Sequence, residues 1–396
     1  MLPNLPFPGP LRGEEPDTFS ERTVTQRIPE IGRRALAESS FSPEIADRMN
    51  ALFDDLPHGR IRPLVEQNTP DLADWQTYIQ PYEGQTWLEA PLFFVETYFY
   101  RRVLEASGYF QPGPGIGIDP FAYQKSQGML QARQALLPFE PELQPDALQR
   151  PVNLARLLRL DLWGNQADLS MWPAGSEKKA PSGSKDEHLL CDDVAAIVEH
   201  LRTHVGRVDI VLDNTGAELA FDLLLVDGLL RNWTPVVRLW AKAHPTFVSD
   251  ATPADVHQAL YDLQVYGGPG VQTMAKRLHN NLADGRLQIE ADYYWNSPLA
   301  GWEMKEKMRQ ELAEAALILS KGDANYRRWL GDRHWAYDAP LQDVLAYTPA
   351  PLGLLRVLKC EVGAGMPAVV VENVATHDPG WMTNGKWGVI QFVSIP

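Results

Sequence analysis

The chain has 396 residues, 36 Lys and Arg against 51 Asp and Glu, a formal charge of −15 and 44% hydrophobic residues. That length allows two domains or one large one with a well-buried core. The acidic balance excludes general affinity for nucleic acid, which needs a basic face, although a small phosphate can still be bound where a few cations are focused.

No apolar run reaches the roughly 18 residues of a membrane span. The N-terminal stretch MLPNLPFPGPLRGEEPDTFS is proline-rich and acidic, without the basic and apolar regions of a signal peptide, so a cytoplasmic location is expected. Its two cysteines, Cys191 and Cys360, are far apart, against a disulfide framework or a cysteine zinc site.

Residues 1 to about 20 read as an irregular arm. The spacing predicts amphipathic helices over Thr25–Glu38, with Pro29 in its first turn, and over Ser42–Phe53. Trp87–Ser107 reads as an apolar core helix punctuated by Glu96, Arg101 and Arg102, and Pro112–Pro120 as a loop. Residues 1–150 therefore form a mostly helical N-terminal region. A leucine-rich helix, Leu154–Leu162, leads into Trp163-Gly164-Asn165-Gln166, and residues 173–188 are expected to be a mobile surface loop.

From Leu189 the pattern alternates. A helix is expected over Cys191–Arg202, and strands at Val208–Leu212, Pro235–Ala241, Leu287–Ala291, Ala316–Ser320, Leu354–Glu361, Ala368–Val371 and Val389–Ile395. Helices are expected from Ala217, after Thr252-Pro253 and over Glu303–Ala315. The alternation predicts an α/β/α sandwich over residues 151–396, built on a largely parallel, Rossmann-like doubly wound sheet.

The stretch VDIVLDNTGAELAFDLLLVDGLL, Val208–Leu230, organises this half. A buried strand runs into the polar turn Asp213-Asn214-Thr215-Gly216 and then into an apolar helix, and ligands gather at such strand ends. Asp213 and Asn214 are oxygen donors suited to a hard divalent cation; they are equally suited to capping the helix. Asp250 and the Asp323-Ala324-Asn325-Tyr326-Arg327 run follow two further strands, and Lys359 lies late in another. Acids gathered from several strand ends repel one another unless a cation lies between them. Arg327 and Lys359 supply the opposite pole, where a phosphate can be held.

Other chemistries fit less well. His200 and His204 have the spacing of a zinc helix but lack its glutamate and a third ligand. Gly267-Gly268-Pro269-Gly270 lacks the GK[ST] of a P-loop, and neither a G-x-S-x-G elbow nor a G-x-G-x-x-G turn occurs.

LDNTGAELAFDLLLVDGLL resembles the DN-x-G-x-E-x-x-x-D-L signature of the metal-dependent damage-control phosphatases, in their acidic-residue-methyltransferase-like branch. DLWGNQADLS, FVSD, KGDANYRRWLGD and RVLKCEVGAGM match in the same order, from the Trp87 helix to about residue 366. The resemblance implies a metal-dependent phosphomonoester hydrolase acting on small phosphorylated metabolites, sugar phosphates such as fructose phosphates among them. It implies Asp213, Asn214 and Asp250 as ligands of a divalent metal (Mn, Co, Ni or Mg), with catalysis resting on these three and Lys359. Asp323, Asn325, Tyr326, Arg327, Lys359 and Asn165 are implied as substrate contacts, and Glu218 as a supporting residue. The family's Arg-Thr-x-Lys element reads Arg356-Val357-Leu358-Lys359 here, without its hydroxyl, and Ala324 replaces a common leucine. An S-adenosylmethionine-dependent protein carboxyl methyltransferase and a non-catalytic binding protein stand as the alternative functions.

Overall fold

A computed structural model of the chain describes residues 2–143, 152–164 and 185–394. Its sheet has seven strands: β1 (Leu189–Asp192), β2 (Val208–Val211), β3 (Val237–Lys242), β4 (Leu287–Asp292), β5 (Leu317–Lys321), β6 (Leu352–Val357) and β7 (Gly388–Val393). Their spatial order is β1-β7-β6-β5-β2-β3-β4. All neighbours are parallel except β6 and β7. From β2 the chain moves outward through β3 and β4, then returns to β5 on the other side of β2 and moves outward again. The β2–β5 boundary is thus the topological switch point, where the connections diverge and leave a crevice at the strand ends.

The strands are apolar because both faces are covered. Val208, Ile210 and Leu212 pack into one core with Leu219, Leu223 and Leu263, while Val211, Trp240 and Ile318 face the other with Phe94, Val95 and Trp329. Helices supply both layers: α1 (Ile28–Ala37), α2 (Pro43–Asp55), α3 (Leu72–Ile79), α4 (Leu92–Ser107), α5 (Ala122–Ala135), α6 (Leu154–Leu162), α7 (Val194–Thr203), α8 (Ala217–Asn232), α9 (Pro253–Tyr266), α10 (Pro269–Ala283), α11 (Glu306–Ala313), α12 (Asp323–Leu330) and α13 (Ala368–His377). Helices α1 to α4 share the second core with the sheet, while Met129, Ala132 and Leu136 on and after α5 pack into the first, so the N-terminal helical region contributes to both layers. Among the described residues no helix is long and apolar enough to cross a membrane.

Several expected boundaries move for physical reasons. Cys191 and Asp192, expected to open a helix, belong to the strand Leu189–Asp192, which pairs in parallel with β7 (Cys191 opposite Val389). Ala368–Val371, expected as a strand, begins α13, a surface helix behind Pro367 that buries only Val374. Its β-branched run imitates a strand locally, but no neighbour offers it a ladder. β6 ends at Val357, so Lys359 lies beyond the strand, whereas β3 runs on to include Lys242. Pro91 delays the start of the Trp87 helix to Leu92, and α1 continues a π-helical turn, Thr23–Arg27, that precedes Pro29. Most of the expected loop 173–188 lies outside the described residues; Lys185–His188 form a 3₁₀ turn.

Candidate metal centre and phosphate site

Where β2 and β3 end, the chain is stitched together by its own backbone. Thr215 N–H donates to Ser249 O at 2.7 Å and Ala251 N–H to Asp213 O at 2.8 Å, while Ala251 O accepts from Lys242 N at 2.9 Å. Asn214 and Asp250 face each other as an isolated antiparallel bridge. Residues 36 positions apart in sequence are thereby fixed side by side. The approach to this bridge is strained: Phe247 and Val248 have φ of 46° and 70°, left-handed values unusual for non-glycine residues and costing about 1–3 kcal/mol each. Phe247 is held by α4, with ring centroids 6.2 Å from Phe93 and 5.0 Å from Tyr100.

The orientation of Asn214 follows from its surroundings. Its amide nitrogen donates to Asp213 Oδ2 at 2.8 Å and to Glu218 Oε2 at 3.0 Å, and its oxygen accepts from Ser249 Oγ at 2.5 Å. Ionised carboxylates accept only, and toward that form the nitrogen lies on their side. Asp213, Glu218 and Asp250 are all buried. Burial, then the neighbouring Glu218 and Asp250 carboxylates, push the Asp213 carboxyl well above the usual range. Burial likewise raises Asp250 and Glu218.

An oxygen-rich cluster whose carboxylates resist ionisation suits a hard divalent cation, which would neutralise the charges that burial and repulsion oppose. Among the described residues no three His, Cys, Asp or Glu side chains gather as metal ligands. The side chains brought together are instead two carboxylates and the Asn214 amide, whose oxygen, the atom able to ligate a cation, accepts from Ser249 Oγ at 2.5 Å.

Across the switch point, Gly322 leaves β5 with φ 81° and abuts the Asp213 carboxylate, and α12 begins at Asp323. Asp323 is turned toward β6: it accepts from Arg356 Nε at 2.7 Å and from Lys359 N at 3.1 Å. Despite burial, Arg356 and Arg327 hold its carboxyl below the usual range. Arg356 also donates to the carbonyls of Cys360, at 2.7 Å, and of Val362, so it shapes the turn that presents Lys359. The charge of Lys359 works against the rise of both Asp213 and Glu218.

The other expected substrate contacts have their side chains committed elsewhere. Asn325 donates to Leu212 O and Lys321 O, at 2.9 and 2.8 Å, bracing β2 against β5. Tyr326 donates from its hydroxyl to Gln391 Oε1 at 3.0 Å, under the β7 side of the sheet. Arg327 pairs with Asp332 through Nε at 2.7 Å and Nη2 at 3.1 Å, and with Glu96 of α4 through Nη1 at 2.6 Å. Its position is that of a tie between α4 and α12. Asn165 lies outside the described residues.

The sequence reading missed Lys242, Ser249 and the clamp role of Arg356. Lys242 was detectable as a lysine at the end of the apolar strand VRLWAK. Ser249 and Arg356 carry no local signal, since their roles arise from contacts across strand ends.

Comparison with known proteins points the same way. The family description "Damage-control phosphatase ARMT1-like domain" matches residues 23–374. "Damage-control phosphatase ARMT1" of Danio rerio is 32% identical over 365 residues, spanning 83% of this chain and 81% of that protein. Its namesake in Mus musculus is 28% identical over 439 residues, spanning 97% and 98%. A DUF89 family protein from Pyrococcus horikoshii shares the fold with a TM-score of 0.50 at 13% identity, over 92% of this chain and 95% of its own.

Proposed function

The chain belongs to the damage-control phosphatase ARMT1-like family, and from that premise we propose that its crevice hydrolyses sugar phosphates, fructose phosphates among them, in the cytoplasm. The family makes it a metal-dependent phosphomonoester hydrolase with small phosphorylated metabolites as substrates. In our reading Asp213, Asn214 and Asp250 hold the divalent ion, Mn²⁺, Co²⁺, Ni²⁺ or Mg²⁺. The observation that carries this is the Asn214–Asp250 bridge, which joins two buried, charge-resisting carboxylates and an amide at the switch point.

Bound there, a divalent cation supplies charge neutralisation and Lewis-acid polarisation for phosphoryl transfer to water. The chain's own residues do the rest. The leading backbone N–H groups of α12 and the Lys359 ammonium are the groups we assign to the phosphate oxygens, the first as a helix N-terminus and the second as a point charge. Asp323 does not oppose that anion, because Arg356 neutralises it at 2.7 Å. Asn325 and Arg327 support the site by bracing strand ends and tying α4 to α12. We read residues 1–150 as the helical N-terminal region and 151–396 as the phosphatase domain; Phe93 and Tyr100 packing on Phe247, and Gly128 against Gly216, support a role for the helical region in covering the turns of the crevice.

The test is phosphate release from a sugar-phosphate panel and p-nitrophenyl phosphate, metal-free and with each ion, beside Asp213→Ala. Metal-dependent turnover lost in the variant is the expected result, with the panel ranking the sugars. Absence of turnover by folded, metal-loaded protein would sink the sugar-phosphate reading.

A further inference from the structure

Lys242 ends β3 with its side chain buried beneath the Asp250 turn. Its ammonium lies 3.3 Å from Asp250 Oδ2 and 3.0 Å from Asn325 Oδ1. Asn325 cannot turn away, because its amide nitrogen is held by carbonyls of Leu212 and Lys321 at 2.9 and 2.8 Å. Those carbonyls belong to the exits of β2 and β5, so the lysine is braced from the switch point itself. No hydrogen bond reaches the buried Oδ2, which leaves the ammonium as its compensating charge.

We propose that Lys242 sets the ion preference of the site: by holding Oδ2 it restricts Asp250 to a single oxygen donor, selecting compact six-coordinate cations over Ca²⁺. The inference rests on the reading of Asp213, Asn214 and Asp250 as ligands. Ca²⁺ takes about 6–8 oxygens and readily uses both oxygens of a carboxylate, whereas Mg²⁺ demands near-octahedral geometry at shorter range. A site with one carboxylate oxygen already ion-paired to an ammonium at 3.3 Å is short of donors for the larger ion. Release of Oδ2 restores a donor that Ca²⁺ uses and a compact ion does not.

The test is calorimetric titration of the metal-free, full-length protein with MnCl₂ and with CaCl₂. Wild type, Lys242→Met, Lys242→Gln and Asp213→Ala are compared, each checked for folding by circular dichroism. The expected result is a Mn²⁺-to-Ca²⁺ affinity ratio that narrows by about tenfold or more in Lys242→Met, from the gain of a carboxylate oxygen for Ca²⁺. Lys242→Gln keeps a donor for Oδ2 and should retain more of the preference. A brace with no part in selectivity would weaken both ions alike, so an unchanged ratio in both variants overturns the proposal. Failure of wild type to bind Mn²⁺, or wild-type binding by Asp213→Ala, defeats the metal centre itself and this inference with it. Should neither lysine variant fold, crystals of wild-type protein with each ion decide. Asp250 bound through one oxygen, with Lys242 on the other, supports the proposal, and a bidentate Asp250 on Ca²⁺ overturns it.

Discussion

The backbone of Gly322 lies directly against the carboxylate of Asp213, so the exits of β5 and β2 meet with no space for a side chain between them. Gly322 also adopts φ 81° and ψ 176°, a conformation open essentially to glycine alone. Gly322→Ala therefore pays twice, about 1–3 kcal/mol in backbone strain and the displacement of a site carboxylate. The expected outcome is a lower melting temperature and a fall in turnover on the order of 10²-fold, the usual cost of misplacing a reacting group by about 1 Å. Wild-type turnover with p-nitrophenyl phosphate in this variant would show that the position of Asp213 does not limit the reaction.

The helical period of Ala217 onward, the DNTG turn and the FVSD turn were all legible in the chain, because strand, break and helix leave local signatures. What the sequence could not convey is which donors are already spent. Asn325, Tyr326 and Arg327 stand at the start of a helix after a strand, and the family resemblance implies them as substrate contacts. Only the folded chain shows Asn325 given to two carbonyls, Tyr326 to Gln391 and Arg327 to Asp332 and Glu96. Glu96 lies 231 residues before Arg327 in the chain, and no periodicity encodes that pairing. The strand–helix confusion at Ala368–Val371 has the opposite cause: three consecutive valines speak for a strand, and the absence of a partner ladder overrules them.

The Arg327 tie is a stability device in the first instance. Its guanidinium is nearly fully buried, forked onto Asp332 and reaching Glu96 at 2.6 Å. Removing one member of a buried pair leaves the other uncompensated and costs about 3–5 kcal/mol. Glu96→Ala should lower the unfolding free energy read from urea titration by that amount, and Glu96→Gln, which keeps an acceptor, by less. Arg327→Lys should not restore stability, because an ammonium cannot reproduce the fork. Urea unfolding of the three variants checks this; a Glu96→Ala midpoint equal to wild type would remove Glu96 from the tie.

Asp213 should show the opposite behaviour, since its site is built against folding. Burial and two nearby carboxylates disfavour its charged form. Asp213→Asn removes that charge while keeping shape, so the metal-free variant should be more stable than wild type at neutral pH. Each pKa unit by which Asp213 is raised corresponds to about 1.4 kcal/mol. The same substitution should abolish the rise in melting temperature that Mn²⁺ gives wild type, because a cation stabilises only where it binds the folded state. A scan of both proteins with and without Mn²⁺ reads both effects. A metal-free Asp213→Asn protein that melts below wild type would mean that the carboxylate is stabilising.

Acid should destabilise the protein from a different place, His244. The ring is buried near the Asp71–Arg101 ion pair, edge-on to Phe110 with centroids 5.7 Å apart. Its Nε2 lies 3.8 Å from Asp71 Oδ2, too far for a hydrogen bond. Burial lowers its pKa from 6.5 to about 4, outweighing the pull of Asp71. Between those values the unfolded chain binds a proton that the folded chain refuses, so folding stability rises with pH across that window and falls as pH drops through it. The full span amounts to about 3 kcal/mol at about 1.4 kcal/mol per unit. Asp71, held below its usual value by Arg101 despite burial, loses its stabilising charge only at still lower pH, so the two effects separate. The buried carboxyls of Asp213, Asp250 and Glu218 act in the opposite sense in both proteins. Urea unfolding at closely spaced pH should therefore show wild type losing more stability across the His244 window than His244→Gln. Parallel curves for the two proteins would place the acid sensitivity elsewhere.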